Sequence, residues 1–165
     1  MPHARVIDGF EFARGGGSLQ GAWPLDDFPR LRDSLHASTG ELRYEVRGVP
    51  QERGRPALRL RLEGALQLVC QRCLEPLEFP LRLEVSLLLA TTQAEIDAEP
   101  FAAEAPERIV AGREMPVHDL IEDELLLAIP VVPRHERCTA RRAGGDSGKP
   151  SPFEALRGLV GGPKH

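Results

Sequence analysis

The chain has 165 residues, a net charge of −4, 41% hydrophobic residues and only 5% aromatic ones. That length suits one domain with a core built mainly from Leu and Val. Three cysteines, an odd and uneven set, exclude a secreted disulfide framework. The N-terminal residues lack an apolar signal core, and no apolar run approaches the roughly 20 residues of a membrane span. A soluble, cytoplasmic protein is expected.

In chain order, Arg5–Ala13 reads as a first strand with Val6, Phe10 and Phe12 on one face, and Gly15–Ser18 as a flexible joint. Asp26-Asp27-Phe28-Pro29 looks like a capped helix start, and Phe28, Leu31 and Leu35 share the spacing of a short amphipathic helix ending before Gly40. Glu41–Arg47 alternates, with Leu42, Tyr44 and Val46 inward. A long hairpin follows over 57–70 and 77–90. Its first arm is apolar at even positions from Leu58 to Cys70, and its second at odd positions from Leu77 to Leu89. Gly64 reads as a bend or bulge in the first arm.

Between Gln93 and Glu124, ten acids face only Arg108 and Arg113. Residues 91–114 are therefore expected to form a mobile acidic loop, with a short strand near Arg108–Ala111. Pro116–Ile129 is the strongest helix, with Val117, Leu120, Ile121, Leu125 and Ala128 in one stripe. A basic, loop-like tail over about 134–165 ends the chain, with a short helix at Phe153–Val160. These elements predict an α+β fold: a bent antiparallel sheet built on the long hairpin, with the main helix on its apolar face. Residues 1–165 form a single domain in this reading.

Cys70 and Cys73 lie at the hairpin tip, and His135 and Cys138 follow downstream. Three thiols and one imidazole at this spacing suit tetrahedral zinc. A structural turn with buried thiols is the alternative, since Cys70 shares the parity of Leu66 and Leu68. A thioredoxin-like role does not fit, because this Cys-x-x-Cys opens no helix. Gly145-Asp146-Ser147-Gly148 lacks the surroundings of a serine protease, and Gly144–Lys149 those of a phosphate loop.

Arg43, Arg47, Arg59 and Arg61 are odd-numbered and oppose the core parity, so all four should be exposed on one sheet face. Such a face is either a phosphate track or a solvated surface. Glu122, Asp123 and Glu124 are consecutive on the main helix and point around it, which favours a structural ion pair over catalysis. Glu124, beside the apolar stripe, is the member expected to be partly buried and matched with Arg.

Three stretches together carry a resemblance: Cys70-x-Arg72-Cys73-Leu74; Glu122-Asp123-Glu124 running into Leu125–Pro133; and Pro150–Leu156. In order and spacing they resemble the bacterial large ribosomal RNA subunit accumulation family, YceD. The resemblance implies a non-enzymatic protein supporting synthesis, processing or stability of large-subunit ribosomal RNA. Its partner would be that RNA or a large-subunit ribosomal protein, with no small-molecule substrate. It points to Cys70, Arg72 and Cys73 at the tip and to Glu122, Asp123 and Glu124 on the helix.

Overall fold

A computed structural model describes residues 5–98 and 106–138. The architecture is α+β, as the alternation predicts. One sheet has five strands in the order β2-β3-β4-β5-β6, with β2 Ser18–Pro24, β3 Glu41–Glu52, β4 Arg55–Val69, β5 Pro76–Ala90 and β6 Glu107–Val110. A two-stranded sheet pairs β1 Val6–Ile7 with β7 Met115–Pro116. Among the described residues, three α-helices join them: α1 Gly9–Arg14, α2 Gln93–Asp97 and α3 Val117–Ala128.

The long hairpin dominates. β4 and β5 pair without a break from Ala57↔Leu88 to Val69↔Pro76. Period-two alternation puts Leu58, Leu60, Leu62, Leu66, Leu68 and Cys70 on one face, where all are fully buried. Each buried Leu contributes about 2 kcal/mol of transfer free energy, so these residues alone commit the register. Gly64 makes no bulge. It stays in register, and a Cβ there would lie 3.1 Å from the Glu41 carbonyl. Gly48 permits a closer approach, because α1 crosses the sheet so tightly that a Cβ would stand 2.2 Å from the Phe12 carbonyl.

α3 is closed by its prolines as expected, and Val117, Ile121 and Leu125 are buried in the same core as the sheet residues.

Several elements differ from the sequence expectation. Residues 9–14 are helical, not strand: Asp8 caps the helix by accepting a 2.9 Å bond from the Glu11 N–H. The segment around Phe28 forms no α-helix. It makes two 3-10 turns, Leu25–Asp27 and Arg32–Ser34, while still burying Phe28 and Leu31. Tertiary bonds override the helical spacing there. The N–H groups of Arg30 and Leu31 reach the Glu122 carboxylate, and the His36 N–H reaches the Gln67 carbonyl.

β2, which follows the glycine run, is an additional strand that buries Trp23 against Tyr44 with ring centroids 4.2 Å apart. The acidic segment carries α2, capped by Thr92, and β6, which runs parallel to β5 and makes the sheet mixed. Residues 99–105, the expected helix at Phe153–Val160 and the tail beyond Cys138 lie outside the described residues.

β6 covers only the Leu87–Ala90 end of β5. At the other end the Cys70 N–H bonds the Glu75 carbonyl, so the ladder alternates from a hydrogen-bonded 70/75 pair. Even-numbered β5 residues therefore turn their backbone groups away from β4. Pro76 and Pro80 occupy two of those outward positions. No described strand pairs with this edge from Pro76 to Ser86.

Candidate metal centre and charged surfaces

The tip of the hairpin brings Cys70, Cys73, His135 and Cys138 together, their ligand atoms all within 4.8 Å of one another. Backbone geometry sets this up. The Leu74 N–H bonds the Cys70 carbonyl at 2.9 Å, and Leu74 adopts φ 62°, which reverses the chain after Cys73. The Gln71 N–H bonds the Pro133 carbonyl at 2.9 Å and draws in the segment after α3.

His135 Nε2–H donates to the Pro76 carbonyl at 3.0 Å. That bond fixes the tautomer and leaves Nδ1 as an acceptor, the outer-sphere arrangement usual for a ligating imidazole. Nδ1 stands 3.4 Å from Cys73 Sγ and 3.8 Å from Cys138 Sγ, while Cys70 Sγ and Cys138 Sγ are 3.5 Å apart. Ideal tetrahedral zinc implies separations of about 3.8 Å between sulfurs and about 3.6 Å from sulfur to nitrogen. The set fits that geometry. All three cysteines are free, and 3.5 Å is far beyond a disulfide bond.

The electrostatics agree with a site prepared for thiolate. Burial pushes the Cys70 thiol up, but N–H groups of Cys73, His135 and Arg72 and the Cys138 side chain outweigh it, bringing Cys70 down to about 5. Cys138 is pushed up to about 12 by its hydrogen bonds to Cys73 and Cys70, by burial and by their charge. Two sulfurs crowding a third disfavour a further negative charge unless a cation joins them.

The four sheet arginines are exposed on one face, as their parity predicts. Each has a carboxylate within reach: Arg43 with Glu63 at 3.6 Å, Arg47 with Glu45, Arg59 with Glu52 at 3.0 Å and Arg61 with Glu84 at 3.0 Å. Cross-strand register produces this pattern, since Arg43 opposes Glu63 and Arg61 lies between Glu45 and Glu84. Arg72 is exposed at the hairpin tip, about one strand's length away.

The acidic triplet divides three ways. Glu122 is buried and holds Arg30: Oε2 accepts from Nε and Oε1 from the backbone N–H, both at 2.7 Å. Asp123 is exposed and accepts from the same guanidinium at 2.6 Å. Glu124 is buried too, but the Arg30 fork goes to its two predecessors. The expected arginine match therefore belongs to Glu122, and its partner comes from a segment 92 residues away that no local pattern advertises.

Burial, reinforced by the charges of Glu107 and Asp123, raises Glu124 to about 7 from an ordinary 4.5. The folded state then binds a proton more tightly than the unfolded chain. Stability falls as pH rises between about 4.5 and 7 and stays reduced above that. Glu124→Gln is expected to stabilise the protein by about 2 kcal/mol at pH 8 and to change little at pH 4. Urea titrations of both chains at the two pH values check this.

No described helix is long and apolar enough to cross a membrane. No solved structure matches the chain. A family profile described as "Large ribosomal RNA subunit accumulation protein YceD" matches residues 58–159. That span takes in all of the long hairpin from Leu58 onward, α3 and all four residues of the Cys/His cluster, and on it the chain belongs to the YceD family.

Proposed function

We propose that this protein is a cytoplasmic, non-enzymatic accessory that supports synthesis, processing or stability of large-subunit ribosomal RNA. The family match over 58–159 carries the reading. Its partner is that RNA or a large-subunit ribosomal protein, without a small-molecule substrate, and residues 1–165 act as one YceD-like domain.

Zinc is the cofactor that best suits three sulfurs and one nitrogen at these separations. Bound there by Cys70, Cys73, His135 and Cys138, it would supply structural cross-linking. Cys70 and Cys73 hold the hairpin tip, while His135 and Cys138 hold the segment after α3. The chain's part is to fix the imidazole through Pro76 and to present Arg72 between the two tip cysteines. Glu122 and Asp123 of α3 serve the fold through Arg30.

Deleting the gene is expected to lower large-subunit ribosomal RNA relative to small-subunit RNA, with recovery when the wild-type chain is restored. An unchanged ratio, both in fast growth and after a cold shift, would sink the reading.

A further inference from the structure

The sheet-face arginines and the tip arginines are in different electrostatic states. Arg43, Arg47, Arg59 and Arg61 each share space with a glutamate, so an approaching phosphate meets a carboxylate beside every guanidinium. Arg72, Arg134 and Arg137 have no such partner among the described residues, and all three are exposed. Each is the chain neighbour of a cluster residue: Arg72 precedes Cys73, Arg134 precedes His135, and Arg137 precedes Cys138. The cluster thus gathers arginines from two segments some sixty residues apart in the chain, as the 62-residue separation of Cys73 and His135 measures.

Part of the exposed apolar surface lies at the same end. Among described residues the exposed large hydrophobics include Leu74 at 73%, Val131 at 97% and Val132 at 47%. Leu74 is costly twice: it is exposed, and it holds φ 62°, a conformation that favours glycine. A turn that needed only to reverse would be cheaper with glycine. A leucine there is best explained by something it contacts.

Resting on the proposed role in ribosomal RNA accumulation, we infer that the metal-stapled tip is the RNA-contacting surface, with Arg72, Arg134 and Arg137 on phosphates and Leu74 against an unpaired base. Guanidinium forks suit phosphate, and sequence-specific RNA recognition targets loops and bulges whose bases are unstacked. The metal's part is mechanical: it would hold the two arginine-bearing segments side by side. The Arg/Glu sheet face is, by contrast, a solvated surface.

The test uses the full zinc-loaded chain and a protein-free transcript of large-subunit ribosomal RNA, with binding measured from 50 to 300 mM salt. Changing Arg72, Arg134 and Arg137 together to Gln is expected to weaken binding at least tenfold. It should also make the dependence of log K on log salt shallower by about two, roughly 0.7 for each of the three lost contacts. Changing Arg43, Arg47, Arg59 and Arg61 together to Gln is expected to shift affinity less than about twofold. Leu74→Gly should weaken binding severalfold while raising the unfolding temperature, a pairing that a merely structural leucine cannot produce. Zinc content and circular dichroism of each variant confirm that it is folded.

The inference is overturned if the sheet-face set loses binding and the tip set keeps it, or if Leu74→Gly binds like the wild type. It is equally overturned if the naked transcript is not bound while isolated large-subunit ribosomal proteins are. The gene deletion reads the underlying role separately. A tip variant that fully restores ribosomal RNA in the deletion strain refutes the surface and leaves the role standing.

Discussion

Protein purified without chelator is expected to carry about one zinc ion per chain, and stripping it should loosen one end of the molecule without unfolding the rest. Isolated zinc fingers unfold outright when their metal is removed, because the metal supplies most of their folding free energy. This chain has an independent core: β4 alone buries five leucines completely, and α3 seals the sheet with Val117, Ile121 and Leu125. Loss should therefore concentrate where the cluster is the main tie.

The Gln71 amide, bonded to the Pro133 carbonyl, is the best reporter. Its hydrogen-exchange protection should vanish on chelation, while amides paired within Leu58–Leu62 keep theirs. Cys138→Ala is expected to abolish zinc loading and to lower stability by about 2–4 kcal/mol. Elemental analysis giving under about 0.2 zinc per chain would speak against a closed site, which normally stays loaded. Unaltered exchange at Gln71 after chelation would show that the metal does not tie the two segments.

The second large effect belongs to Glu122. Its carboxylate is buried and collects the Arg30 guanidinium together with the backbone N–H groups of Arg30 and Leu31. Removing it strands those donors at a turn that replaces regular helix. Glu122→Ala is expected to cost about 2 kcal/mol, because Arg30 is half exposed and keeps Asp123, so the loss falls mainly on the stranded backbone N–H groups. Glu122→Gln keeps one acceptor and should cost about half as much. Burial pushes this carboxyl up, but the bonds and charge of Arg30 outweigh it and hold the group below its ordinary 4.5. Its stabilisation is thus present above that value and lost as pH falls through the lower folded-state value. Guanidinium titrations at pH 7 and pH 3 check both parts. The gap between wild type and Glu122→Gln should narrow in acid, and a constant gap would show that the carboxylate's charge contributes nothing.

These two sites differ in how much of them local pattern reveals. Parity along Leu58–Cys70 and Leu77–Leu89 determines the hairpin, because one slip in register would expose every leucine. Once the hairpin stands, Cys70 and Cys73 must share its tip. The pairing of His135 and Cys138 with them was legible only as ligand chemistry, from the spacing and types of four residues.

Arg30 was not legible at all. Nothing near Asp26–Leu35 announces a carboxylate on α3, and the spacing of Phe28, Leu31 and Leu35 argues for a helix that the carboxylate prevents. Residues 9–14 carry a strand-like pattern because Phe10 and Phe12 mimic alternation, although the segment is helical. The sequence signal for this helix is Asp8 followed three residues later by Glu11, an N-terminal capping pattern. β2 was hidden by the glycines before it, and a parallel partner for β5 cannot be told from an antiparallel one by periodicity.

The outer edge of β5 has a consequence for how this protein keeps company. An open strand edge is an invitation to any extended polypeptide. Pro76 and Pro80 withdraw two donors from the row that a visiting strand would need. Charged Glu78, Arg82 and Glu84 occupy the remaining outward positions before Ser86. The molecule can therefore stay in a crowd of unfolded chains without becoming a template for their aggregation, and its selectivity is left to side chains.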